Sequence, residues 1–251
     1  MKLNFVAPLL AMLGLLGGCT TTAISSAEAM NMVTGAGFNA SKGAGFVPIE
    51  PTIAQSQVTV NRNGQLVTTD IRLLTNQETL DFLADTQSKV AVSKVDKNGN
   101  LTYLAGSLSA EKGRYVVVMD YTKFFIEDMI ENGKKIGRLK TGVGLRLFAD
   151  VKTSKVGIDL GGLLKIGLAA GRQELSGSLE VRAIGVTSTD IDSLLPGTLP
   201  TINESSIQTA LEAMAAVKAK FRERETVVSP RHVAVELVES TQSSLVKAPG
   251  L

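Results

Sequence analysis

The stretch RYVVVMDYTKFFI, residues 114–126, is a continuous run of β-branched and aromatic residues with few interruptions. Such a run is typical of a central strand that is buried on both faces. It is followed by Asn132-Gly133, a dipeptide that favours a tight turn between strands, and then by a second long extended segment that ends near Thr153. The sequence therefore predicts two long neighbouring strands at the centre of the fold.

The segment after this turn alternates between apolar and polar residues, and so does a later segment. One face of the first carries Val143, Leu145, Leu147, Ala149 and Val151, and the other face carries Arg146, Asp150 and Lys152. In the second, Leu175, Gly177, Leu179, Val181 and Ala183 oppose Ser176, Ser178, Glu180 and Arg182. Alternation with a period of two is typical of half-buried strands. We expect the two strands to pair antiparallel, with the apolar face in the core and the polar face in water.

Two further hairpins and two helices are predicted around this centre. Asn63-Gly64 and Asn98-Gly99 each separate two extended segments, which indicates a hairpin. Thr75 with Glu78, and Thr201 with Glu204, have the spacing of a capping box at a helix N-terminus. The second helix carries an apolar stripe made of Ile207, Leu211, Met214 and Phe221. A last alternating strand, HVAVELV, begins at His232.

These elements predict an α+β fold, an antiparallel β-sheet built from hairpins with one or two helices packed on a face. We assign residues 57–239 to a single domain of this kind and residues 240–251 to a polar tail. Residues 19–56 are predicted to be a flexible tether, because they begin with small polar residues and continue with a Gly-Ala-Gly-Phe sequence that occurs twice. The phenylalanines of this repeat, Phe38 and Phe46, are expected to dock on the domain.

Residues 1–18 have the features of a signal peptide. Lys2 supplies a positive charge, and the uncharged stretch 5–18 is shorter than the roughly 20 apolar residues that cross a bilayer. The stretch ends in Leu16-Gly17-Gly18-Cys19, and Cys19 is the only cysteine of the chain. An aliphatic residue, two small residues and a cysteine in this order resemble the lipobox of bacterial lipoproteins.

The resemblance implies cleavage after Gly18 and a thioether-linked diacylglycerol on Cys19, which becomes the acylated first residue of the mature chain. Several acyl chains on one residue give stable anchoring where a single chain does not. Thr20 follows the cysteine, whereas an Asp at this position tends to retain such proteins in the inner membrane. The resemblance therefore implies the outer membrane, with the domain facing the periplasm and membrane lipid as the first binding partner.

Composition argues against nucleic acid as a partner. The chain has 26 Lys and Arg residues against 24 Asp and Glu residues, a net charge of +2, and so lacks the strong basic excess of a nucleic-acid-binding protein. Aromatic residues make up only 4% and tryptophan is absent, so stacking platforms for bases are not indicated.

Candidate catalytic and metal-binding residues are few. His232 is the only histidine and, with Cys19 lipidated, no imidazole and thiolate zinc or copper site can form. We assign His232 a structural or surface role. Glu127, Asp128 and Glu131 are interpreted as a solvated hairpin tip, and Asp190 and Asp192 as helix-cap or turn residues. No cofactor and no enzymatic activity are predicted, since no nucleophile, base and orienting group can be named together.

Residues 155–173, KVGIDLGGLLKIGLAAGRQ, are rich in glycine and leucine and leave three interpretations open. Leu160, Leu163, Leu164 and Leu168 have helical spacing, although each internal glycine destabilises a helix by roughly 0.5–1 kcal/mol. The segment is a core crossover, a surface for a partner or for self-association, or a membrane contact. Core packing is the favoured interpretation, because apolar stretches of this kind are usually buried.

Three functional hypotheses follow from the sequence. The first is a lipid-anchored, non-enzymatic binding, assembly or envelope-maintenance factor with a protein partner. The second is a subunit of an oligomeric secretion or pore assembly that uses the amphipathic hairpin 141–187. A hydrolase of wall or lipid material is the third and the least supported.

Overall fold

The computed structural model describes residues 39–40, 45–97, 101–104, 109–131, 133–154, 156–162 and 175–237. The strands are β1 (Asn39–Ala40), β2 (Val47–Ile53), β3 (Gln57–Arg62), β4 (Gln65–Asp70), β5 (Asp85–Val95), β6 (Leu101–Tyr103), β7 (Ser109–Ala110), β8 (Gly113–Glu131), β9 (Lys134–Thr153), β10 (Ile158–Asp159), β11 (Leu175–Ile184), β12 (Val186–Thr187), β13 (Val227–Val228) and β14 (Arg231–Leu237). The helices are α1 (Asn76–Phe82), α2 (Thr189–Leu194) and α3 (Glu204–Ala219), and Ile71–Leu73 form a 3-10 turn. The predicted α+β class is confirmed.

Strands β8 and β9 form the long central hairpin. They pair antiparallel from Glu131 opposite Lys134 to Gly113 opposite Thr153. Gly133, in the turn, has a φ of 73°, a left-handed conformation that glycine adopts without strain. The predicted double-sided burial of β8 is confirmed along its N-terminal half, where the residues from Tyr115 to Asp120 are all buried.

Six further strands extend this hairpin into one mainly antiparallel sheet with the order β1-β6-β5-β8-β9-β14-β2, in which β11 also pairs with β9. Strands β3 and β4, β7 and β10, and β12 and β13 form three separate two-stranded sheets. Strand β9 has two different partners on its outer side. Its first half pairs with β14, up to Gly142 opposite Arg231, and its second half pairs with β11, beginning at Gly144 opposite Ile184. The predicted antiparallel pairing of β9 with β11 is thus confirmed, and the sheet forks where β11 and β14 separate.

The core lies on one face of this sheet. Val143, Leu145, Leu147, Ala149 and Val151 are fully buried there, as the alternation predicts. Helix α3 covers them through Ile207, Ala210, Met214 and Val217. Because these strands and α3 bury the same surface, the apolar face of the hairpin 141–187 is interior in this fold.

Local signals account for most of the smaller elements. The turn between β3 and β4 is Asn63-Gly64, with φ angles of 54° and 84°, as a two-residue hairpin requires. Thr75 and Glu78 form the predicted capping box of α1. Strands β5 and β6 pair as predicted, although Asn98-Gly99 between them lies outside the described residues.

The predicted capping box of α3 is wrong by two residues. The N-cap is Asn203, and its side chain accepts from the backbone N–H of Ser206 while Ser206 Oγ accepts from the N–H of Asn203. An Asn side chain can accept from the backbone N–H three residues later, just as a Thr side chain can. The sequence therefore also allows the helix to begin after Asn203. The predicted apolar stripe is otherwise confirmed, because Ile207, Met214 and Phe221 are all buried.

The predicted boundary at residue 57 is too late. Strand β2, which falls within the predicted tether 19–56, is the outer neighbour of β14 in the main sheet. Phe46, just before β2, docks as expected: its ring centroid lies 5.1 Å from Lys140 Nζ and 5.2 Å from the guanidinium carbon of Arg138. Phe38 and residues 240–251 lie outside the described residues.

Close packing of the central hairpin at the fork depends on glycine. A Cβ added to Gly144 would lie 2.1 Å from the carbonyl oxygen of Tyr121. We expect Gly144→Ala to lower the free energy of unfolding by about 1–3 kcal/mol, because the backbone of β8 must move. Urea denaturation measures this loss, and Gly197→Ala, with nothing within 4 Å of the added methyl group, is the control. Equal stability of the two variants would contradict this account of the hairpin.

Candidate functional site

The structure describes only one of the residues that the sequence nominates for anchoring or interaction. Leu160 is fully buried in the main core, next to the short strand β10. Core packing is therefore the role of this residue. Leu16, Gly17, Gly18 and Cys19 lie outside the described residues, as do Leu163, Leu164 and Leu168.

A buried ion pair occupies the sheet face opposite the core. Arg146 and Asp120 lie directly across from each other on β9 and β8, and they are only 7% and 8% exposed. Two parallel hydrogen bonds join them, Nε to Oδ1 at 2.7 Å and Nη2 to Oδ2 at 2.8 Å. The prediction that Arg146 lies on a solvated face is wrong, because the side chain is buried and contacts backbone groups of β2 and β14.

Arg146 also holds the irregular part of the sheet. Its guanidinium donates to the carbonyl oxygens of Ile49, at 2.6 Å, and of Val233, at 3.0 Å. Both carbonyls lie where the pairing of β14 shifts register between His232 and Ala234. A bulge leaves backbone groups outside the regular ladder, and buried backbone groups need a partner. Arg146 is that partner for two strands.

A second polar cluster joins four segments of the chain around Glu127. Ser56 Oγ donates to Glu127 Oε1 at 2.7 Å, and Thr141 Oγ1 is 3.0 Å from the same oxygen. His232, buried at the start of β14, places Nδ1 at 2.8 Å from Thr141 Oγ1 and 3.8 Å from Glu127 Oε1. Burial lowers the pKa of His232, and the charge of Glu127 partly opposes that shift.

This cluster corrects the interpretation of Glu127 and adds to that of His232. Glu127 is not a solvated tip residue, whereas its neighbour Asp128 is, in a salt bridge of 2.6 Å with Lys135. A nucleophilic serine needs its hydroxyl on a histidine nitrogen, but Ser56 donates to a carboxylate. Within the described residues, no group of three His, Cys, Asp or Glu side chains is placed to hold a metal ion.

A cavity of about 500 Å³ opens at the fork of the sheet, between β11 and β14. Three arginines contribute to its wall, Arg146, Arg182 and Arg231, together with the carboxylates of Glu50 and Asp192. Burial lowers the pKa of Arg231. Arg182 is held by Glu180 through two hydrogen bonds of 2.7 and 2.9 Å. The cavity therefore presents charges of both signs.

The second open feature is a groove beside α3 on the core side of the sheet, which we call the α3 groove. It consists of two adjoining hollows of about 300 and 230 Å³ that share Tyr121 and Lys218. The first hollow is lined by Met119, Leu211, Met214, Ala215 and Ser88, and the second by Leu80, Phe221, Lys123, Arg222, Thr86 and Ala219. One half of the groove is therefore mainly apolar, and the other half carries basic side chains.

The basic half of the α3 groove is built on two helix ends. Lys123 donates its ammonium protons to the carbonyl oxygens of Leu80, at 2.7 Å, and of Leu83, which closes the C-terminus of α1. Lys218, in the last turn of α3, places Nζ 4.6 Å from the centroid of the Tyr121 ring. Arg222 follows just beyond the helix. The spacing of residues within α3 could have indicated which helix residues line the groove. It could not have indicated that β8 faces them.

Comparison of the chain with protein-family models, with curated protein sequences and with solved structures finds no match. In the part of the chain that the structure describes, no helix has the length and apolar character needed to cross a membrane.

The buried ion pair predicts a large and specific loss of stability. Asp120→Ala leaves the guanidinium of Arg146 buried without its carboxylate, and removal of one partner of a buried pair costs about 3–5 kcal/mol. Urea denaturation measures the loss. Asp150→Ala is the control, because its partner Arg114 is 52% exposed and surface pairs contribute little. A similar small effect of both substitutions would contradict the role given to Arg146.

The single histidine predicts a pH dependence. The folded state lowers the pKa of His232 below its usual 6.5, so the unfolded chain binds the proton more readily. The free energy of unfolding is therefore expected to fall as the pH drops below about 6.5. Denaturation at several pH values measures the slope, and His232→Gln should flatten it in this window because no other histidine is present. An unchanged slope in the variant would contradict the assignment.

Proposed function

We propose that the protein is a lipid-anchored lipoprotein of the bacterial outer membrane that faces the periplasm and acts by binding rather than by catalysis. The observation that carries the proposal is the sequence Leu16-Gly17-Gly18-Cys19 at the end of an uncharged apolar stretch. This resemblance to a lipobox gives the lone cysteine a chemical role. Acylation of Cys19 would hold the α+β domain at the membrane surface.

The arrangement of the folded part supports a binding role. The first strand of the main sheet, β1, begins at Asn39, so residues 20–38 of the sequence separate the proposed anchor from that sheet. Among the described residues, the fork cavity and the α3 groove are open, and each is lined by charged side chains. Open features of this size with a few polar groups are the usual form of binding sites.

The polar cluster around Glu127 supports binding over hydrolysis. His232 is buried and hydrogen-bonded to Thr141, and the Ser56 hydroxyl donates to Glu127 rather than to the histidine. We infer that the cluster has a structural role, since it ties the segment before β3 to β8, β9 and β14. An envelope protein partner and self-association remain part of the proposal for the binding role.

The alternative function, a pore subunit, requires the domain to change its packing. A pore built from residues 141–187 would have to expose the apolar face that β9 and β11 bury against α3. Release of that face would remove the main core. We therefore place the binding role first, and size-exclusion chromatography of the mature protein at high concentration separates the two, since a strict monomer counts against a pore.

The proposed anchoring predicts different effects on acylation for substitutions at the neighbouring residues Cys19 and Thr20. Mass spectrometry of the mature full chain should show an acylated Cys19 at the N-terminus, and the protein should float with outer-membrane vesicles in a density gradient. Cys19→Ser removes the acceptor sulfur and is expected to abolish acylation and membrane flotation. Thr20→Ser is the matched control and should behave as the wild type. An unmodified thiol at Cys19 would overturn the proposal.

A further inference from the structure

We propose that the α3 groove binds a fatty acid, with the acyl chain in the apolar half and the carboxylate at the basic half. This proposal extends the proposed function by naming a ligand. It depends on the proposed function only for where the ligand comes from, because a protein held at a membrane surface has fatty acids beside it.

Helix α3 supplies one wall of the α3 groove, and this wall changes in character along its length. Leu211, Met214, Ala215 and Lys218 recur at intervals of three and four residues, so they share one side of the helix, and Arg222 lies in the turn that follows it. The apolar members come first and the basic members come last. The wall therefore runs from apolar to cationic over about three turns.

The floor of the α3 groove changes in the same direction. Met119, Tyr121 and Lys123 alternate along β8 and face the same side of the sheet as α3. Met119 adjoins Leu211 and Met214 in the apolar hollow, and Lys123 adjoins Phe221 and Arg222 in the basic hollow. Tyr121 and Lys218 stand at the junction. An amphiphile with one anionic end thus meets matching surroundings on both the wall and the floor.

The charge of the basic half is not neutralised by the groove itself. None of the described residues that line either hollow carries a carboxylate. Among the described residues, Lys218 and Arg222 form no salt bridge, although the next lysine of the same helix end, Lys220, pairs with Glu223 at 3.0 Å and with Asp190 at 3.5 Å. The two groove cations therefore remain available for an anion.

The apolar half favours an acyl chain over a peptide. A peptide brings backbone N–H and C=O groups that must find hydrogen-bond partners when they are buried. Among the described residues that line the apolar hollow, Ser88, Tyr121 and Lys218 are the only ones whose side chains can form such bonds. An acyl chain needs none, and two methionines give the hollow the adaptable surface that accepts chains of varied shape.

Photolabelling of the full chain tests the proposal. Membrane and periplasmic fractions of expressing cells are irradiated with an alkyne-tagged, diazirine-bearing fatty acid, and the tagged peptides are located by mass spectrometry. The use of both fractions keeps this test separate from the anchoring proposal. We expect label on the strand segment that contains Met119 or on the helix segment that contains Met214, with competition by dodecanoate. The matching diazirine alcohol lacks the carboxylate and is expected to label at least about tenfold less.

Matched variants assign the two halves of the α3 groove. Lys218→Gln combined with Arg222→Gln is expected to reduce labelling about tenfold or more, because charge-assisted hydrogen bonds are lost. Lys220→Gln, in which a neighbouring but paired lysine is changed, should leave labelling unchanged. Ala215→Trp fills the apolar hollow from an exposed helix position and should abolish labelling with no fall in the thermal midpoint.

Three results would overturn the proposal. Equal labelling by the fatty acid and by the alcohol would show that the basic half of the groove does not bind the carboxylate. Label that persists in Lys218→Gln/Arg222→Gln or in Ala215→Trp would place the ligand elsewhere. A protein segment that crosslinks to the α3 groove and blocks the fatty acid would make the groove a protein-docking site instead.

Discussion

The ion pair between Arg146 and Asp120 is the constraint on which the polar side of this sheet depends. A charge removed from water must find its counter-charge and its hydrogen bonds within the protein. Arg146 finds both, through the carboxylate across the ladder and two carbonyl groups of the bulged strands β14 and β2. The outer strands are thus positioned relative to the central hairpin by directional bonds. The opposite face is held by apolar packing under α3, which has no comparable directionality.

This division of the sheet leaves two open places with different chemistry. At the fork, β11 and β14 pair with successive parts of β9, and the cavity between them is lined by arginines and carboxylates together. Beside α3, two adjoining hollows expose apolar residues of the helix and of β8 together with basic side chains. The first place presents both signs of charge. The second is graded from apolar to cationic, and it is the one with a defined ligand chemistry.

The sequence anticipates the long hairpin but not its register. Continuing the pairing from Glu131 opposite Lys134 would set Asp120 opposite Leu145. The structure has one extra residue, Ile136, in β9, and Asp120 therefore lies opposite Arg146. A shift of one residue exchanges the faces of a strand relative to its partner. No turn signal or alternation indicates such a bulge, so the pairing of Arg146 with Asp120 could not be predicted. The burial of Arg146 depends on contacts with the distant strands β2 and β14, which local patterns do not show either. The cluster of Ser56, Glu127, Thr141 and His232 was equally beyond reach, since it joins four distant segments.

By itself, the sequence determined the features that arise from neighbouring residues. These are the hairpin turns, the alternating strands, the helix stripe and the α+β class, together with the resemblance at Cys19 that directs the hypothesis of a membrane anchor. Tertiary structure alone decided which polar residues are buried and that β2 belongs to the sheet. It also decided that β8, α3 and the turn after α3 place Lys123, Lys218 and Arg222 around one groove. The physical reason is the distance along the chain over which each interaction acts. Backbone propensity and periodicity act over a few residues, whereas burial and charge pairing depend on segments that meet only after the chain has folded.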